Sequence, residues 1–164
     1  MNLTAKYLRT ILHYNRSTGN FTWLIKPSRR YPVGMRAGSA KPDSRVSIGI
    51  NRIEYKAHRL AWFYVTGRWP KNEIDHKNGN NADNRFRNLR KATHAQNMRN
   101  RKIQSNNTSG IKGVYWLKRT KRWKAQISLN RKAIHLGYFS TRTKAARAYA
   151  VAAKKYHMEF VRRG

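Results

Sequence analysis

The chain has 164 residues, room for one ordinary domain or two small ones. Its 37 Lys and Arg against 6 Asp and Glu give a net charge of +31, which repels itself unless a polyanion is near, and nucleic acid offers the densest row of negative sites. The chain has no cysteine, which excludes disulfides, thiolate zinc sites and a zinc ribbon. No signal peptide and no apolar run of transmembrane length is visible, so a cytoplasmic protein is expected. A basic amphipathic helix long enough to lie on a membrane is not found either. With 39% hydrophobic and 12% aromatic residues, the chain has material for folded cores and is more than a basic tail.

Residues 1–15 read as a short helix that Thr4 can cap, with Leu3, Tyr7, Leu8, Ile11 and Leu12 roughly on one face. Ser17-Thr18-Gly19-Asn20 reads as a turn and residues 21–25 as a strand. Residues 26–44, rich in Pro, Gly, Ser and Arg, read as loop. Val46, Ile48 and Ile50 alternate, as do Ile53, Tyr55 and Ala57, so Asn51-Arg52 between them predicts a hairpin. Residues 58–66 (HRLAWFYVT), closed by Gly67, predict a buried helix with a glycine cap and place Trp62, Phe63 and Tyr64 in or near a core. Residues 103–109 are polar and form the candidate linker. Beyond them, 111–117, 122–129 and 132–139 read as strands, and an Ala-rich helix over about 142–157 follows Ser140-Thr141. No internal repeat is visible.

The densest chemistry lies in 73–102, EIDHKNGNNADNRFRNLRKATHAQNMRNRK. Hydrolysis of a phosphodiester needs a base for the attacking water and a hard cation for the charge that grows on the phosphate. Asp75 supplies a carboxylate suited to a hard divalent ion, and His76 an imidazole suited to a base near neutral pH. Adjacent strand residues point to opposite faces, so Asp75 and His76 converge only if the strand ends or twists there. Asn78-Gly79 is a tight-turn signal, Asn88 to Lys91 reads as a second strand, and Thr93 with Gln96 reads as a capping box that opens a helix carrying Asn97. Asn78, Asn80, Asn81 and Asn84 read as turn formers, His58 as a packed structural histidine, and His13 and His157 as surface residues.

This strand–loop–strand–helix segment resembles the HNH homing endonucleases common in bacteriophages, which have a ββα-metal fold. Upstream residues carry the same resemblance: Tyr55 to Trp62, Gly67-Arg68-Trp69-Pro70, and Thr18 to Trp23. It spans roughly residues 3–102. The resemblance implies that Asp75 is a metal ligand, that His76 is the general base and that Asn88 orients the imidazole and the loop. It implies that Asn97, where many relatives have histidine, is the second metal ligand, with His94 as the alternative. One divalent cation is implied, Mg2+ first and Mn2+ second.

In the C-terminal part, Trp123, Ala125, Ile127 and Leu129 share one face of a strand, to pack on a helix face of Ala145, Ala148, Tyr149 and Ala152. Lys124, Gln126 and Ser128 share the opposite, polar face. A small sheet of this kind can enter a major groove. Gly113-Val114, Trp123-Lys124-Ala125, Leu136 to Phe139 and Ala145 to Tyr149 resemble the plant apetala-two or ethylene-response-factor domain. That resemblance implies a three-stranded sheet on double-stranded DNA, with Lys112, Tyr115, Lys118, Arg119, Lys124, Gln126, Ser128 and His135 as the candidate contacts.

The expectation is therefore an α+β chain. An HNH nuclease domain over 1–102 holds a ββα-metal core at about 72–102, and a linker over 103–109 leads to a DNA-binding domain over 110–164, a small three-stranded antiparallel sheet packed on one helix. The expected activity is metal-dependent cleavage of duplex DNA, with no protein partner implied. A non-catalytic DNA-binding regulator and a basic RNA-binding protein are the alternatives.

Overall fold

The computed structural model of the chain describes residues 3–100, 103, 106–129 and 132–157. It combines helices with antiparallel sheets and divides into two compact units, Met1–His94 and Ala95–Gly164.

In the first unit, α1 (Ala5–Ile11) starts where the Thr4 hydroxyl accepts the Tyr7 N–H at 3.1 Å. The helix is shorter than its apolar spacing predicts, because Leu12–Tyr14 leaves it as strand β1. Leu12 and Tyr14 are buried and His13 is exposed, the in–out–in pattern of a strand paired with β2 (Phe21–Trp23). β2 pairs in turn with β3 (Arg36–Ala37). So the 26–44 segment is not all loop: it holds β3 and then β4 (Ser39–Ala40), the edge of a second sheet with β5 (Val46–Ile50) and β6 (Ile53–Lys56). The hairpin between β5 and β6 turns at Asn51 and Arg52, both with positive φ (50° and 64°), as a two-residue turn of matching twist requires.

Helix α2 (Ala57–Thr66) buries Ala57, His58, Leu60, Ala61 and Phe63, and ends at Gly67, which is left-handed at φ 71°. Leu8, Leu12, Phe21, Ile48 and Leu60 are fully buried in one core, each stabilising the fold by about 1.5–3 kcal/mol. Ile74 on β7 (Glu73–His76) and Leu89 on β8 (Leu89–Ala92) join that core, so β7 and β8 are anchored from beneath. The two strands pair antiparallel, Asp75 opposite Arg90 and His76 opposite Leu89, with a single 3-10 turn at Phe86–Asn88 leading into β8. Helix α3 (His94–Asn100) follows, and the division between the units falls inside it.

In the second unit, β9 (Val114–Leu117), β10 (Arg122–Leu129) and β11 (Lys132–Phe139) form an antiparallel sheet of order β11-β10-β9, and α4 (Arg142–His157) lies against it. Val114, Ala125 and Ala145 are buried with Trp123, Leu136, Phe139 and Tyr149 around them. Ile127, Ala152 and Ala153 form a second cluster farther along the helix. Alanine lets the helix approach the sheet closely, and Gly113 takes this further. At φ 70° it lies where a Cβ would overlap the Gln126 carbonyl oxygen and the Tyr149 ring. Polar composition does not leave the approach to β9 unstructured. The buried Ser109 hydroxyl donates to Asn107 Oδ1 at 2.7 Å and accepts the Ile111 N–H at 3.0 Å. Of the segment 103–109, residues 104 and 105 lie outside the described residues, as does the side chain of His157.

Candidate active site and nucleic-acid interface

Asp75 and His76 are the last two residues of β7, and both are buried. The Asp75 carboxylate takes two hydrogen bonds on Oδ2 from its cross-strand partner Arg90, from Nε at 2.9 Å and Nη2 at 2.8 Å. A buried anion is thus neutralised by a nearly buried cation.

The His76 ring meets Asn84 Oδ1 through Nε2 at 3.1 Å. An amide oxygen only accepts, so Nε2 carries the hydrogen, and in the neutral ring the lone pair is on Nδ1. Burial, above all, pushes the His76 imidazole below its ordinary value; the Asn84 bond and the Asp75 charge pull the other way. His76 is therefore neutral at neutral pH, the state a base needs. His58, delivered from α2, lies edge-on to it with ring centroids 5.0 Å apart. Burial and the nearby His76, Arg45, Lys56 and Arg59 push His58 down to about 3, so it too is neutral.

Asn88 organises the loop between the strands. Its Oδ1 accepts the Asn78 N–H at 3.1 Å, and its Nδ2 donates to Asn78 Oδ1 at 3.0 Å and to the Asp83 carbonyl at 2.8 Å. Asn78 and Asn80 form turns as their residue type predicts, each accepting the N–H two residues on. Asn81 instead reaches back to the Asp43 carbonyl. Asp83 is clamped by Arg85, whose guanidinium holds its carboxyl down at about 2.

Asn84 differs from its neighbours. It is buried, its side chain meets His76, and its carbonyl accepts the Tyr14 hydroxyl at 2.6 Å. Burial pushes the Tyr14 phenol up to about 12, so it stays protonated and remains a donor. Sequence reasoning passed over Asn84 because four asparagines in one polar loop look alike. What separates it is packing from the distant 14–19 hairpin, and no local pattern reports that.

His94 sits at the edge of the unit, largely exposed, with Nδ1 2.8 Å from Glu73 Oε1. Asn97 is half-buried on α3 in the second unit. Among the described residues no three His, Asp or Glu gather into a metal-binding cluster. The donor set on offer is instead a carboxylate with amide oxygens, a chemistry that fits a hard divalent cation. Asp75 would contribute while its Oδ2 also faces Arg90.

In the second unit the candidate contacts fall into three places. Tyr115, Lys124 and Tyr138 make one cross-strand row, Gln126 pairs with His135 in the next, and Ser128 follows on the same face. Lys118 and Arg119 are exposed in the turn from β9 to β10. Lys112 is set apart, half-buried, with Nζ donating to the Arg99 carbonyl at 2.7 Å.

Tyr138, half-exposed and 4.6 Å from the His135 ring by centroids, was not among the expected contacts. Strict alternation from His135 puts Tyr138 on the opposite face. The register shift at Ala125/Gln126, with Gly137 at φ 128°, realigns the two rings. Trp116 is also exposed, its ring against Trp123.

Comparison with known proteins bears on this first site. Residues 55–99 match the HNH endonuclease family, a stretch that contains Asp75, His76, Asn88 and Asn97. A protein of Escherichia phage T7 named "Protein 3.8" is 37% identical over 78 residues, which cover 45% of this chain and 64% of that relative. The chain thus spans a little under two thirds of the length of the curated relative. Among the described residues no helix is long and apolar enough to cross a membrane.

Proposed function

We propose that this protein is a divalent-metal-dependent DNA endonuclease of the phage homing type, with a ββα-metal core and a separate C-terminal module that binds duplex DNA. The observation that carries this reading is His76: a buried, neutral imidazole of defined tautomer beside a buried carboxylate, in a segment that matches HNH endonucleases. In this reading His76 removes the proton from the attacking water through the Nδ1 lone pair. Asn88 keeps the 78–83 loop in shape through its three amide bonds. Asp75 and Asn97 would hold the cation, with His94 as the alternative to Asn97, and Arg90 orients the Asp75 carboxylate through its ion pair. When bound, the cation supplies charge stabilisation at the scissile phosphate and the departing 3′ oxygen.

The C-terminal sheet supplies affinity. Its face of Tyr115, Lys124, Gln126, Ser128, Tyr138 and His135 mixes a cation, hydrogen-bonding groups and rings, the combination that docks on a duplex groove. The likeness to apetala-two domains supports the same placement. Tethering two weak binders on one chain raises the effective concentration of the second. The test is conversion of supercoiled plasmid to nicked or linear form with Mg2+ or Mn2+. The expected result is cleavage that EDTA stops and added metal restores. Binding with no cleavage under any divalent metal would leave a non-catalytic DNA-binding regulator, and full activity in excess EDTA would overturn the metal-dependent mechanism.

A further inference from the structure

The chain from Tyr14 to Gly19 packs against Asn84, the loop residue whose side chain meets His76. Tyr14 is the last residue of β1, and its hydroxyl donates to the Asn84 carbonyl at 2.6 Å. Gly19 closes the following turn at φ 77°, with its N–H on the Asn15 carbonyl at 2.8 Å. A Cβ on Gly19 would overlap the Arg85 nitrogen and the Asn84 carbonyl carbon, so backbone lies directly on backbone there. The Asn84 amide nitrogen points to the Ala82 carbonyl at 3.4 Å, which turns Oδ1 toward His76 Nε2.

We infer that Asn84 is a positioning residue for the nuclease reaction: it fixes the Nε2–H tautomer of His76, and the Tyr14–Gly19 hairpin is the brace that fixes Asn84. The inference rests on the reading of His76 as the base. A neutral imidazole that exchanges its proton between the two nitrogens presents the lone pair at the wrong atom for part of the time. An acceptor-only oxygen on Nε2, itself immobilised, removes that loss. This gives the N-terminal hairpin a positioning role, although Tyr14 lies 70 residues before Asn84 in the chain.

The test combines nitrogen NMR of the imidazoles with cleavage kinetics on the full chain. Wild-type His76 is expected as the Nε2–H tautomer; an Nδ1–H ring in the wild type overturns the proposal with no mutant needed. Asn84→Ala should mix the tautomers and lower kcat by roughly ten- to a hundredfold, with KM for DNA nearly unchanged. Asn84→Asp keeps an acceptor oxygen and should restore the tautomer and most of kcat. Tyr14→Phe keeps the ring and loses the hydroxyl, and should give a smaller fall in kcat with the same sign.

If Asn84→Ala keeps both tautomer and kcat while His76→Ala is inactive, the positioning role fails and the base survives. If Asn84→Asp loses as much kcat as Asn84→Ala with the tautomer intact, Asn84 is merely structural and the proposal is overturned. If His76→Ala cleaves normally, the base reading itself has failed.

Discussion

The two candidate sites solve opposite physical problems. The β7–β8 site is nearly closed to water: Asp75, His76, Asn84 and Asn88 are all buried, and each is held by named hydrogen bonds. The face of the β9–β11 sheet is open, with Tyr115, His135 and Tyr138 exposed and Lys124 and Gln126 half-exposed between them. Charge follows the same split. Asp43, Glu54, Glu73, Asp75 and Asp83 all precede residue 95, and the stretch 95–157 contains no acidic residue at all. Among the described residues a hard cation finds carboxylate only before residue 95, whereas phosphate meets little repulsion over 95–157. Chemistry needs a base kept neutral and fixed; recognition needs charge that water and salt can reach. The contrast supports the proposed separation of cutting from address.

The comparison breaks most sharply at His76. His76→Ala should lower cleavage by roughly a hundredfold or more while duplex binding stays near that of the wild type, because a base acts mainly in the transition state. Equal loss of binding and cleavage would mean that the buried site also carries affinity. Asp75→Ala should be inactive as well, with a second signature. It removes the anion from a buried ion pair, a change that costs about 3–5 kcal/mol, so the melting temperature should fall along with activity. A variant that melts as the wild type does would show that Arg90 is not held by Asp75 in solution.

Burial also sets a pH dependence in the first unit. His58 is held down to about 3 in the fold against an ordinary value of 6.5. Below pH 6.5 the unfolded chain takes up a proton that the folded chain refuses, so stability falls as pH falls through the window from 6.5 to about 3. The loss is on the order of a few kcal/mol across that window. His76, also lowered, acts in the same direction. Denaturant titrations at several pH values should show this slope, and His58→Leu should make it shallower by about one proton. Cleavage should fall on the acid side with a midpoint below 6.5, since His76 must be neutral to act. An acid limb above that value would place the titrating base elsewhere.

Local signals in the sequence carried well where local physics decides. Asn51-Arg52 makes its hairpin, Gly67 ends its helix, and the alanines of 142–157 lie on a sheet whose strands fall near their expected places. They failed where distant packing decides. Leu12 and Tyr14 have helical spacing with Leu8 and Ile11, but strand pairing with Phe21 and Trp23 wins and ends the helix. Asn84 has the composition of a turn residue and is buried against His76 by contacts from Tyr14 and Gly19. Tyr138 reaches the outer face through a register shift that no alternation pattern encodes.

The smallest expected effect tests how the open face works. A net charge of +31 attracts any nucleic acid, so affinity alone discriminates little. Lys124 stands between Tyr115 and Tyr138 in one cross-strand row, and Gln126 stands beside His135 in the next. If Lys124 meets a phosphate, Lys124→Ala should weaken all duplexes alike and reduce the salt slope by about one, from a log–log dependence of about −0.9 per phosphate. Gln126→Ala should leave that slope unchanged and relax preference at one or two base pairs, at about 1–3 kcal/mol. Tyr138→Ala should resemble Gln126→Ala, because an exposed ring on the same face touches bases or sugars and releases no counterion. The measurement is a salt titration of the three variants on a preferred and a scrambled duplex. If Gln126→Ala and Tyr138→Ala weaken both duplexes equally, the sheet is an electrostatic anchor, and sequence recognition must come from the unit that holds His76.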